Sequence, residues 1–210
     1  MGSQIAHLLA LNGIHVVIKD VSNIILNQTI LHIDKQLDEQ ILFNKRRVKR
    51  EIDRIEGSHG FRLTDLQKAT LRRKLRTASV KINKKETLSH ITPTLDYDDF
   101  QDCDIVIEAV IEDLDLKKRI FKELDNACLS GVILASNTST ISISKLASCT
   151  RRPEMVIGMH FFNPPLALPL IEIIPGVHTA SNTVESVLDF SRGLRNYRRM
   201  MEPMIVKDLP

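Results

Sequence analysis

Short, β-branched apolar runs separated by stretches of helical periodicity constrain this chain more than any other feature. Val16-Val17-Ile18, Ile105-Val106-Ile107, Val132-Ile133-Leu134, Val156-Ile157-Gly158 and Leu170-Ile171-Glu172-Ile173-Ile174 are too short for buried helices and, Glu172 apart, uncharged. They read as strands covered on both faces, as in a parallel sheet. Between them, Leu116 to Cys128 sets Leu116, Ile120, Phe121 and Leu124 on one side at near-helical spacing. Ser142 to Ala147 predicts a short helix, and Asn182 to Leu194 a longer one with Val184, Val187, Leu188 and Phe190 inward. Strand and helix in alternation predict an α/β, doubly wound fold. The segment 22–88 breaks the alternation. It is helical, polar and basic, and reads as an inserted helical hairpin. Thr64-Asp65-Leu66-Gln67 is a capping box opening a helix toward Leu75, and Gly57-Ser58-His59-Gly60 is the expected turn between two antiparallel helices. Asn196 to Met201 interrupts a helix-to-strand connection ahead of Met204-Ile205-Val206, and the sequence gives no reason for it.

Composition enters mainly by exclusion. Cys103, Cys128 and Cys149 are odd in number and widely spaced, which argues against a disulfide framework and against a metal site. Reduced thiols in an intracellular, reducing compartment (cytoplasm, peroxisome or mitochondrial matrix) are expected. No apolar run reaches the ~18 residues of a membrane span. The first residues lack a charged region followed by an apolar core, so no secretory signal is expected. A formal charge of +3 with 4% aromatic residues and no recognisable module gives no reason to expect nucleic acid as a partner.

Several polar residues stand where apolar ones are the rule, and each admits two readings. His160 ends the run that begins at Val156, and Glu172 is the lone acid of the next run. The pair is either a hydrogen-bonded core histidine with a nearby acid, or a general base held in one tautomer by a carboxylate. Ser139 is either a cap for a helical turn over 141–146 or a hydroxyl held for chemistry. Glu112 is either a first-turn acid favoured by the helix dipole or a site residue, and Lys117 either a solvated helix residue or a site residue. Asp20, after Val16-Val17-Ile18-Lys19, is either a helix cap or a carboxylate at a strand end.

Ile107-Glu108-Ala109-Val110-Ile111-Glu112, Ala135-Ser136-Asn137-Thr138-Ser139 and Gly158-Met159-His160-Phe161-Phe162-Asn163-Pro164 together resemble the NAD-binding domain of L-3-hydroxyacyl-CoA dehydrogenases. The likeness is closest to the dehydrogenase part of multifunctional fatty-acid oxidation α-subunits. It is dense over 92–175, fair over 2–20, weak over 31–89 and patchy after 177.

The resemblance implies a Rossmann-type parallel sheet and NAD as cofactor. Met1-Gly2-Ser3-Gln4-Ile5-Ala6 is similar to the end of a Gly-x-Gly-x-x-Gly fingerprint, with Gly2 as its third glycine and the first strand missing. Asp20, eighteen residues on, matches the acid that grips the adenosine ribose. The family likeness assigns Ala109, Glu112, Lys117, Ser139 and Asn163 to the cofactor, His160 as base, Glu172 as its partner and Ser139 as a hydrogen-bond donor to the substrate oxygen. The implied reaction is NAD-dependent oxidation of an L-3-hydroxyacyl-CoA to a 3-oxoacyl-CoA in fatty-acid β-oxidation. The implied layout is an NAD-binding domain over 1–206, with 207–210 opening a linker to a helical C-terminal domain. That second domain would build a homodimer or multienzyme complex. The basic runs Lys45 to Arg50 and Arg72 to Arg76 lie beside the CoA nucleotide on this likeness, or form a solvated helix face. The alternative from another class is a truncated, non-catalytic homologue acting as a binding module.

Overall fold

A computed structural model describes residues 1–77 and 82–209. Residues 78–81 of the expected insertion and Pro210 of the expected linker lie outside the described residues. The strands are β1 (Val16–Lys19), β2 (Ile91–Thr94), β3 (Ile105–Glu108), β4 (Ile133–Ser136), β5 (Val156–Phe161), β6 (Leu170–Pro175) and β7 (Glu202–Ile205). The helices are α1 (Gly2–Leu11), α2 (Asn23–His59), α3 (Asp65–Thr77), α4 (Lys84–Ser89), α5 (Leu114–Ala127), α6 (Ile143–Ala147) and α7 (Ser181–Gly193). Every strand expected from the apolar runs is present. β2 was not among them, because its Ile-Thr-Pro-Thr sequence carries a proline that cannot donate to a ladder. Among the described residues it pairs only with β1, and as an edge strand it tolerates the proline.

The strands form two sheets, β1-β2 and β3-β4-β5-β6-β7. Among the described residues no strand pairs with the second edge of β1 or of β3, so the sheet divides between them. β3, β4 and β5 are parallel as expected, but β6 runs antiparallel to β5. The connection over 162–169 is too short for the crossover that a parallel partner requires.

Alternation along each strand feeds two cores, which makes the fold doubly wound. Ala135, Ile157, Met159, Phe161, Ile171 and Ile173 pack with Ile5, Leu8 and Leu9 of α1 and Val187 of α7. Val106, Leu134 and Val156 pack on the other face with Phe121 and Leu124 of α5 and Ile143 and Leu146 of α6. α5 starts where Asp113 accepts a hydrogen bond from the Leu116 amide, at 2.7 Å. A third cluster joins Ala10 of α1 and Ile33 and Leu37 of α2 to Ile91 of β2. α2 is 37 residues long, about 55 Å at ~1.5 Å per residue, so its second half projects past the core with α3. It runs straight through Gly57 and Ser58, and the expected turn begins only at Gly60, whose φ of 66° ends the helix. The Thr64 capping box forms with Gln67 in both directions.

The irregular stretch before β7 is a compact turn. The Asn196 side chain accepts hydrogen bonds from the amides of Arg198 and Arg199, and a bridge pairs Arg195 with Met200. Met201 is thereby returned to the core.

Candidate functional site

Because β3, β4 and β5 are parallel, Glu108, Ser136 and His160 come to the same, carboxyl edge of the sheet, the edge where open α/β folds bind ligands. The antiparallel step places His160 directly opposite Glu172. The His160 Nδ1 lies 2.8 Å from Glu172 Oε2. The side chains are 18% and 29% exposed, so neither is a core residue. Among the described residues nothing bonds to Nε2, and the ring rests tilted against Phe162. With Nδ1–H donated to the carboxylate, Nε2 carries the open lone pair.

The loop after β4 carries Ser139, which is exposed at its tip. It is not a helix cap, because α6 begins at Ile143. Its neighbours are held instead. Asn137 Oδ1 accepts the Phe161 amide at 2.8 Å, joining this loop to the residue after His160. The Thr138 hydroxyl, the Thr140 hydroxyl and the Thr140 amide all donate to Glu112 Oε1. Burial alone would raise the Glu112 carboxyl, but these bonds and the Lys117 ammonium hold it below the usual range. Glu112 is therefore an anchor for the Ser139 loop and not simply a first-turn acid.

Lys117 is no solvated helix residue either. It is 1% exposed, and its Nζ donates to both oxygens of Glu108 at 2.7 and 3.0 Å. Glu108 and Ser136 were read only as parts of motifs. Asn137, Thr138 and Thr140 were likewise not singled out. A lone acid closing an apolar run, with a lysine nine residues on, was the available signal for Glu108.

The other expected residues are placed as follows. α1 has no acid in its first turn and no side-chain cap, so its first amide groups are open to an anion. A Cβ on Gly2 would stand 3.7 Å from Ala109, so that contact does not itself demand glycine. Ser22 caps α2, and among the described residues Asp20 accepts only the adjacent Val21 amide, which removes the cap reading of Asp20. Val110 and Ile111 are exposed beside Glu112. Asn163 is exposed in the loop after β5 and precedes Pro164 through a cis peptide bond. That loop borders a cleft of about 630 Å³, walled by Gln36, Gln40 and Asn44 of α2, Leu166 and Tyr197. Among the described residues there is no metal-binding cluster and no helix long and apolar enough to cross a membrane.

Residues 61–200 match the family model described as 3-hydroxyacyl-CoA dehydrogenase, NAD binding domain. A 3-hydroxybutyryl-CoA dehydrogenase of Clostridioides difficile is 46% identical over 115 residues, 55% of this chain and 41% of that protein. A fatty acid oxidation complex subunit alpha of Psychrobacter cryohalolentis is 43% identical over 125 residues, 60% of this chain and 17% of the relative. The chain thus spans well under half the length of these curated relatives. Among solved structures, (S)-3-hydroxybutyryl-CoA dehydrogenase from Ralstonia eutropha superposes with a TM-score of 0.74 at 35% identity, over 100% of this chain and 61% of that one. The 3-hydroxybutyryl-CoA dehydrogenase of Escherichia coli gives 0.77 at 28% identity, over 100% and 36%.

Proposed function

The chain belongs to the 3-hydroxyacyl-CoA dehydrogenase family through its NAD-binding domain, and we propose that it serves the NAD-dependent oxidation of L-3-hydroxyacyl-CoA to 3-oxoacyl-CoA in fatty-acid β-oxidation. The observation that carries this reading is the 2.8 Å contact from His160 Nδ1 to Glu172, with Nε2 left open at the ligand edge of the sheet. Nε2 takes the proton of the substrate hydroxyl, and Glu172 stabilises the imidazolium that results. Ser139, exposed on its anchored loop, donates to the substrate oxygen. NAD, when bound, supplies the acceptor for the hydride leaving the same carbon. Gly2 and the α1 amides would hold its pyrophosphate, Asp20 its adenosine ribose, and Ala109, Glu112 and Asn163 its nicotinamide half. Lys117 acts there through Glu112, since its ammonium is already engaged. The cleft beside α2 borders the loop that follows His160. Assembly into a homodimer or multienzyme complex belongs to the same reading.

Oxidation of NADH by acetoacetyl-CoA, followed at 340 nm with the purified protein, tests this. Turnover that vanishes in His160→Gln supports it. NADH binding without turnover would assign the protein to the binding-module reading, and neither binding nor turnover would defeat the cofactor role as well.

A further inference from the structure

We infer that Glu108 is a positioning residue whose buried carboxylate fixes the Ser139 loop relative to His160. It rests on the reading of Ser139 and His160 given above. Glu108 closes β3, and its side chain is 1% exposed. Its two oxygens accept four hydrogen bonds from three donors: two from the Lys117 Nζ, one from the Ser136 hydroxyl at 2.6 Å and one from the Val110 amide at 2.7 Å. Each donor belongs to an element that bears on the site. Ser136 opens the Ser139 loop, and its hydroxyl also accepts the Thr138 amide at 3.3 Å. Lys117 lies 3.4 Å from Glu112 Oε2, and Glu112 in turn holds Thr138 and Thr140. Ser139 is therefore flanked by two residues whose bonds trace back to one buried carboxylate. On the far side Asn137 ties the same loop to Phe161, the neighbour of His160.

Stability alone gives a weak reason for burying this ion pair. Well-packed apolar residues of similar volume are often as stable or more so, because two charges need not be stripped of water. What such a swap loses is geometry. The β3-β4 ladder carries the chain as far as Asn137, whose amide donates to the Glu108 carbonyl at 2.8 Å; beyond that point it is the carboxylate, through Ser136 and Lys117, that continues the hold toward Thr138 and Thr140. A displacement of about 1 Å at a reacting group costs on the order of a hundredfold in rate.

The double variant Glu108→Leu/Lys117→Met removes both charges, and Glu108→Asp keeps the charge but shortens the reach. For both we expect melting within a few degrees of the parent while kcat falls on the order of a hundredfold, and for Glu108→Asp, which keeps Lys117, KM for NADH within about threefold. Amide exchange over 137–141 should quicken roughly tenfold, as for a loop released from its anchor. Glu108→Gln, which strands the lysine charge, should lose more stability than the double variant. Parent-like kcat in the double variant would overturn the proposal. So would unchanged exchange over 137–141, a readout that stands even if the parent shows no turnover and the dehydrogenase reading itself fails. A double variant that melts far below the parent would make Glu108 a folding residue and equally defeat the positioning role.

Discussion

A histidine is inert or basic according to whether a ring nitrogen is left over, and His7 and His160 show one of each. His7 is fully buried, with Nδ1 on Gln36 and Nε2 on the Tyr197 hydroxyl. His160 spends only Nδ1 and keeps Nε2 toward the ligand edge. His160→Gln should therefore lower kcat about 10²–10⁴-fold, the usual worth of a general base, with little change in melting temperature. Glu172→Gln should cost on the order of tenfold or more, because the ring loses its orienting partner and its counter-charge. Comparable kcat in parent and His160→Gln would sink the assignment. His7 predicts a different signal. Burial first, and then the His32 charge, lower its proton affinity, against a raising bond from Gln36. Its folded value thus lies below the ordinary 6.5, so the unfolded chain takes up the proton first as pH falls. The neutral-His7 contribution is complete above about pH 6.5 and is lost progressively below it. Chemical denaturation between pH 7.5 and 5 should show this slope, and His7→Asn should flatten it.

At the scale of elements, close packing between β5, β6 and α6 sets the spacing of the site. A Cβ on Gly158 would fall 2.7 Å from Ile174 Cβ and 3.0 Å from Ile143 Cδ1, and the first of these sits too near the backbone to swing away. Gly158→Ala should destabilise by about 1–3 kcal/mol, measured by urea midpoint, and should disturb the His160–Glu172 register two residues on. Asp208 fastens the end of the described chain to the start of α6. It accepts the Ile143 and Ser144 amides and the hydroxyls of Ser142 and Ser144. Burial would raise its carboxyl, but those bonds win and hold it below the ordinary 3.8. Asp208→Ala should therefore cost about 0.5–2 kcal/mol at neutral pH. The difference from the parent should shrink as pH falls below 3.8, where the unfolded carboxylate is already protonated. A constant difference across that range would contradict the cap. The strands and the His160–Glu172 pair were legible in sequence because apolar period and an isolated charge are local signals. The rest was not, because it is written in register. Glu108 and Ser136 lie 28 residues apart and meet only through β3-β4 pairing. β2 hid behind Pro93, and the antiparallel β6 is dictated by a short connection, which apolar patterning cannot express.

The whole molecule is held together unevenly. Within the larger sheet, ladder hydrogen bonds link β3 through β7, whereas β1-β2 shares no ladder with it among the described residues. What joins the two is side-chain packing through α1. Ile5, Leu8 and Leu9 meet β3, β4 and β5 in one cluster that also takes in Val16, while Ala10 meets β2 in another. The residues of β1 are all only half-buried, unlike Leu134 or Ile157 in the larger sheet. Local opening costs least where buried contacts are few. Hydrogen exchange should accordingly divide the molecule in two. Amides of 16–19 and 91–94 should exchange on the order of tenfold faster than those of 133–136 and 156–161, and should lose protection at lower denaturant. Leu8→Ala, at a site with 0% exposure, should cost about 2–5 kcal/mol and widen that gap, because it loosens the helix that spans both sheets. A substitution of equal cost elsewhere, such as Phe121→Leu under the opposite face, should weaken the larger sheet without widening it. Uniform protection across both sheets would mean that packing through α1 couples them as firmly as a ladder. Since Asp20 follows β1 while His160 lies near the end of β5 in the larger sheet, such opening would part the proposed adenosine end of the site from the proposed base. Bound NADH should then slow exchange in β1 more than in β4, and equal slowing in both would count against Asp20 as the ribose ligand.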